Sequence, residues 1–303
     1  MPATPAWPPK SAPRLFVSSP LAEGAPVTIE GPQAHYLSRV MRVASGDVVI
    51  LCDNITGEWA ARVASAGKRD VSLVVEALLR PREAVPDFTL CAALLKKDRF
   101  DLVLEKACEL GVARIQPVIT RRCVADKLNL ERARAILTEA AEQCARTALP
   151  DLAEPVKLDA LLKGWDANNV MGRTLFFADE AGGEPAAAAF QHWQHCNITP
   201  LPSGEGLGVG VGERGPKGLA STVAGTRGLT ATLPHPKPTP PGRGESGAAA
   251  LLTGPEGGFD ETERAAIRAL PQTRAITLGP RILRGETAAI AGCALWMGIV
   301  GDW

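Results

Sequence analysis

The chain has 303 residues, and its 33 basic and 33 acidic residues leave a formal net charge of zero. That length suffices for two domains with buried cores, and the balance excludes a global polyanion-binding character while leaving room for local basic patches. Seven scattered cysteines without a CxxC pair exclude a disulfide framework and a zinc site, and are expected as small buried hydrophobes of a reducing compartment.

Residues 1–13 are Pro-rich and lack an apolar run, so they read as a disordered start and not as a signal peptide. Five β-branched runs follow: RLFVSS (14–19), APVTIEG (25–31), GDVVILCD (46–53), EWAARVAS (58–65) and DVSLVVEALL (70–79), with one helix at QAHYLSRVMRV (33–43). This spacing predicts a compact β-barrel domain over 14–81. From Phe88 the rhythm changes. FTLCAALL (88–95) is a continuous apolar strand, as expected when both faces of a sheet are covered. Asp98 is then placed to cap a helix over 99–110, whose Phe100, Val103, Leu104, Ala107, Cys108 and Leu110 form one stripe and which Gly111 ends. A strand at ARIQPVIT (113–120) leads to a long helix from about 129 to 148, with Leu130, Ile136, Leu137, Ala140, Ala141 and Cys144 inward. RTLFFADE (173–180) is the next strand. Residues 196–247 hold 12 Gly and 8 Pro and no aromatic residue, a composition that cannot offset its ordering entropy, so a flexible insertion is expected there. Strand 249–254, helix 261–270, strand 274–279 and helix 286–300 complete an α/β domain over 86–303 with a mostly parallel sheet. No stretch reaches the ~18–20 apolar residues of a membrane span, and a soluble, cytoplasmic protein without a membrane partner is expected.

Ligands of open parallel sheets sit beyond the carboxyl ends of strands, which draws attention to residues 178–183, 254–258 and 279–286. In TGPEGGFDETE, Gly254, Gly257 and Gly258 remove side-chain bulk so that main chain can approach a ligand. Asp260 and Glu263 form an acidic capping box for the next helix. LGPRILRGETA repeats the Gly-Pro opening. Ile282 and Leu283 suit the walls of an aromatic-ring pocket, Arg281 and Arg284 suit anions, and Glu286 either caps the final helix or supplies a carboxylate.

LLTGPEGGF and LGPRILRGETAA together resemble the paired signatures of the SPOUT superfamily of S-adenosylmethionine-dependent RNA methyltransferases. Within it, RLFV, HYLSRVMRVASGDVVILCD, KKDRFDLVLEKACELGV, IQPVITRRC and EAAEQCAR make the chain similar to the bacterial 16S ribosomal RNA uridine-N3 methyltransferases (RsmE-type). The likeness covers nearly everything except the extreme N-terminus and the insertion. It implies a trefoil-knotted α/β methyltransferase domain, a PUA-like RNA-binding barrel, a homodimer, and methylation of N3 of uracil-1498 in the small ribosomal subunit. By the same resemblance Leu252, Gly254, Glu256, Gly258, Leu278, Ile282, Leu283 and Arg284 would cradle S-adenosylmethionine.

Because an imide proton must leave N3 before it attacks, Glu286 stands as a proton acceptor and Arg284 as a stabiliser of the anionic ring. Glu142 and Arg146 are further catalytic candidates, with an ordinary i,i+4 helix salt bridge as the plainer reading of that pair. Gln143, with donor and acceptor, suits a uracil edge. Candidate RNA contacts are Arg14, His35, Arg39, Arg42, Lys96, Lys97 and Arg99; a solvated charged face is the alternative. Asp179 and Glu180 stand as further cofactor or substrate contacts. Three competing functions remain at this stage: a non-catalytic RNA-binding assembly factor on the same scaffold, a knotted methyltransferase with another target, and an ordinary nucleotide-binding α/β enzyme. The absence of GxGxxG and P-loop signatures counts against the last.

Overall fold

The computed structural model describes residues 12–67, 69–167, 173–197 and 248–303. Most of the N-terminal segment expected to be disordered, and the Gly/Pro-rich insertion from 198 onward, lie outside the described residues.

The first domain is one curved sheet of β1 (Arg14–Phe16), β2 (Pro26–Glu30), β3 (Val48–Cys52), β4 (Gly57–Ala66) and β5 (Asp70–Pro81) in the order β1-β3-β4-β5-β2. Only β1–β3 is parallel. No strand pairing among the described residues joins β2 to β1, so the expected barrel is open. Its concave face holds Leu15, Ile29, Leu37, Val49, Leu51, Val63, Val71 and Leu73, each large side chain contributing about 1.5–3 kcal/mol by burial. The helix expected at 33–43 begins earlier, as α1 (Gly31–His35), and continues as a π turn over Tyr36–Val40. Pro32 suits the start because its missing N–H would be unpaired there anyway.

The second domain is an eight-stranded parallel sheet. It comprises β6 (Phe88–Ala93), β7 (Arg114–Ile119), β8 (Asp151–Leu152), β9 (Val156–Lys157), β10 (Thr174–Ala178), β11 (Glu184–Pro185), β12 (Ala249–Thr253) and β13 (Thr273–Thr277). The order is β11-β13-β10-β12-β6-β7-β8, with β9 also on β7. Both faces are covered, which is why β6 and β12 are buried at every position. One face packs against α2 (Lys97–Glu109), α3 (Leu130–Cys144), α5 (Ala186–Asn197) and α7 (Gly285–Ile299), and the other against α4 (Leu158–Ala167) and α6 (Glu261–Ala269). Trp296 of α7 stacks on Phe88 of β6 at 4.7 Å between ring centroids, fixing the last helix over the middle of the sheet.

Several expectations are corrected. The N-cap of α2 is Lys96, so Asp98 lies inside the first turn, where its charge still complements the helix dipole. Helix α3 ends at Cys144, not near 148, because Ala145 takes a left-handed conformation (φ 63°); this is a strained but recognised helix stop. Cys144 and Cys196 are exposed instead of buried. Helices α4 and α5 and the short strands β8, β9 and β11 are additional to the expected elements.

A glycine-lined cleft at the carboxyl ends of the strands

Strand β12 ends at Thr253, just before Gly254, and β13 ends just before the turn 278–284. These strands are not neighbours in the sheet; β10 lies between them. All three carboxyl ends open on one cleft, lined among others by Ala178, Glu180, Gly258, Phe259, Leu278 and Ile282.

The first turn is locked at both ends. Gly258 N–H donates to Pro255 O at 3.0 Å. The expected capping box is present: Glu263 N–H donates to Asp260 Oδ1 at 2.7 Å and Asp260 N–H to Glu263 Oε2 at 3.1 Å. Arg121 clamps the same cap through its N–H to Glu263 Oε1 (2.8 Å) and its guanidinium to Asp260 (2.9 Å), while Arg122 donates to Gly257 O at 3.0 Å. The Asp260 carboxyl is held well below its ordinary range, first by the Thr262 hydroxyl and then by the Glu263 N–H.

Three glycines leave no room for a side chain. A Cβ on Gly254 would lie 2.8 Å from the Phe259 ring, one on Gly285 would lie 2.8 Å from Leu95 and 3.0 Å from Gly254 O, and one on Gly258 would collide with Glu180 Oε1. Gly285, the first residue of α7, therefore lies close against the Gly254 carbonyl. At the end of β10, Asp179 is buried between Arg264 (3.0 Å) and Arg268 (2.6 Å). Arg264 also reaches Glu180 Oε1 at 3.1 Å.

Of the residues singled out for the cofactor, Gly254, Gly258, Leu278, Ile282 and Leu283 line the cleft. Leu252 is fully buried in β12 beneath the turn, facing the α4–α6 side. Glu256 is exposed and its Oε1 accepts from Lys96 N–H at 3.4 Å. Arg284 is exposed at the N-cap of α7. Phe259, Ile276, Thr277 and Pro280 also line the cleft without having been assigned; Phe259 and Pro280 stand inside the two quoted motifs, and Ile276 and Thr277 close strand β13.

Glu286 lies in the first turn of α7, close to this cleft. Its Oε1 accepts from Arg99 Nη1 at 2.9 Å, and its buried Oε2 has no partner among the described residues. Lys96 and Lys97 are exposed at the start of α2, on the same side.

Glu142 and Arg146 sit elsewhere, at the far end of α3 against the open barrel. Glu142 Oε1 accepts from Phe16 N–H at 2.8 Å, and burial raises its pKa. Arg14 pairs with Glu58 at 2.6 Å and reaches Glu142 O at 3.4 Å. Arg146 is buried and donates to Cys108 O (2.7 Å) and Val112 O (2.8 Å), with Glu83 at 3.6 Å. The i,i+4 salt bridge is therefore not formed. Gln143 is exposed and contacts Glu139 at 3.4 Å. His35, Arg39 and Arg42 are exposed on and just beyond α1 and its π continuation, with no acidic partner among the described residues. No metal-binding group of His, Cys, Asp and Glu occurs among the described residues, and none of their helices is long and apolar enough to cross a membrane.

An RNA methyltransferase domain model matches residues 82–204 and 228–297, and an RNA methyltransferase PUA domain model matches residues 29–76. The ribosomal RNA small subunit methyltransferase E of Rickettsia conorii is 26% identical over 282 residues, covering 93% of each chain. That of Synechocystis is 35% identical over 145 residues, 47% of this chain and 48% of the other. Among solved structures, the methyltransferase E of Neisseria gonorrhoeae bound to S-adenosyl methionine superposes with a TM-score of 0.68 at 24% identity, covering 96% of this chain and 99% of that one. A Legionella pneumophila protein in complex with the same cofactor gives 0.69 at 22%, with the same coverage. These two likenesses establish the fold.

Proposed function

Since the chain belongs to the RNA methyltransferase family, we propose that it methylates N3 of a uridine in 16S ribosomal RNA of the small subunit with S-adenosylmethionine, acting as a homodimer. The observation that carries this reading is the close approach of Gly285, at the start of α7, to Gly254, two positions with no room for a side chain, at the carboxyl ends of three parallel strands. A bent nucleoside cofactor needs main-chain donors and acceptors at close range, and glycine alone permits that. The names of the relatives and the cofactor in the solved neighbours agree with it. Gly285, at the start of α7, packs against Leu95 beyond β6 and Gly254 beyond β12, which fits the knotted arrangement that the resemblance implies.

The sulfonium would supply the methyl electrophile. Gly254, Gly258, Leu278, Ile282 and Leu283 would hold and desolvate the cofactor. Arg284, at the rim, would offset charge on a uracil carbonyl as N3 is deprotonated. Glu286 is the proton acceptor in this reading. Arg99 holds its Oε1, which leaves Oε2 as the free acceptor. Replacing Glu286 by Gln is expected to lower the turnover rate about 10²–10⁴-fold, with cofactor affinity retained. An unchanged turnover rate would assign the proton to another group.

The function is tested with purified protein, isotopically labelled S-adenosylmethionine and small subunits lacking the modification. Label on a uracil N3 is expected. Label on a ribose oxygen, or none, would overturn the assignment, and RNA binding without label would leave an assembly factor.

A further inference from the structure

We infer that Glu180 receives the vicinal ribose hydroxyls of the adenosine cofactor, held for that task by Arg264. This rests on the cofactor reading above and extends it to a residue at the end of a third strand.

Glu180 follows β10, the strand between β12 and β13, at the place where chain order in the sheet jumps. In parallel α/β sheets such a position is where ligands bind, and a strand-end carboxylate there suits a ribose diol, because both hydroxyls donate to acceptor-only oxygens. Glu180 lines the cleft with the glycine turns. Its Oε1 accepts from Arg264 Nη2 at 3.1 Å, and Oε2 has no hydrogen bond among the described residues. Arg264 is itself anchored by buried Asp179 at 3.0 Å and by Glu261 at 2.6 Å. The carboxylate is therefore oriented and yet 43% exposed.

Gly258 supplies the second observation. Its backbone is at φ +66°, and any Cβ there would collide with Glu180 Oε1. The carboxylate thus lies directly on the glycine turn, within reach of whatever the turn cradles. An acid serving only to pair with Arg264 has no need of that approach, since Asp179 and Glu261 already neutralise the guanidinium.

The test is calorimetric titration of the wild-type protein and of Glu180→Ala and Glu180→Gln with S-adenosylmethionine and with its 2′-deoxy and 3′-deoxy analogues. A hydrogen bond to a charged acceptor contributes about 1.5–3 kcal/mol, so roughly 10- to 100-fold in affinity is expected to be lost from either side. The wild type should discriminate against the deoxy analogues by that factor, and the Glu180 variants should bind all three ligands alike. Equal weakening of all three ligands by the substitutions, or none, overturns the role of Glu180 while leaving the cofactor reading intact. Failure of the wild type to bind S-adenosylmethionine overturns both. Melting curves of the free variants separate loss of the ligand contact from loss of the fold.

Discussion

Gly258 and Cys144 show how single positions carry testable chemistry. A methyl group at Gly258 has to displace Glu180 and sits on a left-handed backbone. Gly258→Ala is therefore expected to weaken cofactor binding by tenfold or more, and to cost about 1 kcal/mol of stability from backbone strain alone. Calorimetry and melting curves check the two effects separately. At Cys144 the thiol pKa is lowered, chiefly by the neighbouring Cys108 thiol and also by the N–H and charge of Arg146, which together outweigh burial. Cys108, buried beneath it, is shifted upward. A lowered pKa means more thiolate at pH 7 and faster alkylation. Iodoacetamide is expected to label Cys144 ahead of the other exposed cysteine, Cys196, and Cys108→Ala should slow that labelling. Peptide mass spectrometry reads the order, and equal rates at Cys144 and Cys196 would contradict it.

At the scale of elements, the junction between the domains depends on the end of α3. Because Ala145 turns left-handed, Arg146 leaves the helix and enters the core, where it caps the carbonyls of Cys108 at the end of α2 and Val112 just beyond it. Removing a buried charge that satisfies two carbonyls costs on the order of 3 kcal/mol, so Arg146→Ala should lower the Tm whether or not cofactor is present. Glu58 holds Arg14 and Arg80 of the open barrel, and these two donate to the Glu142 and Ala145 carbonyls at the same end. Burial is the largest influence on its carboxyl and pushes the pKa up, but hydrogen bonds from the two arginines reverse the sign and hold it below the ordinary value. Asp53 is likewise lowered against burial, by N–H groups of Leu21, Ile55 and Thr56 and the Thr56 hydroxyl. A depressed folded pKa stabilises above the unfolded value, about 4 for carboxylates, and the contribution is lost as pH falls through the folded one. The Tm should thus fall below about pH 5, with a shallower acid slope in Glu58→Gln. The apolar stripes of α2 and α3 and the capping box of α6 were legible because they are local periodicities. The stop at Ala145 was not, since alanine favours continuing a helix and tertiary contacts of Arg146 override it. Helix α5 had a signal in Ala186, Ala189, Phe190 and Trp193, all buried, at helical spacing just before the Gly/Pro-rich stretch. The separation of β12 from β13 by β10 had none, because sheet order is set by long-range pairing that no local pattern records.

For the whole molecule, the parallel course of α2 and α3 separates the two groups of candidate residues. Both helices start at the carboxyl ends of the strands, joined there by Arg132 and Asp101 at 2.6 Å, and finish at the opposite edge, joined by Arg146. At 1.5 Å per residue, the 15 residues of α3 place the barrel about 20 Å from the cleft. Arg39 and Arg42 thus belong to one end, and Arg284, Glu286, Lys96 and Lys97 to the other. A ribosomal RNA substrate would have to engage both ends at once, with the barrel cations contacting phosphates that lie well away from the reacting base. Phosphate contacts position without reading sequence and carry the salt dependence of binding. Arg39→Ala and Arg42→Ala are accordingly expected to raise KM for the small subunit and to reduce the salt slope of binding by somewhat under one for each cation removed, while the Kd for cofactor and the turnover rate at saturating RNA stay at wild-type values. Arg284→Ala should show the reverse division, with turnover falling more than RNA affinity. If the barrel substitutions lowered turnover at saturating RNA as much as Arg284→Ala does, the separation of positioning from chemistry along α3 would be wrong, and the barrel would have to act at the reacting base itself.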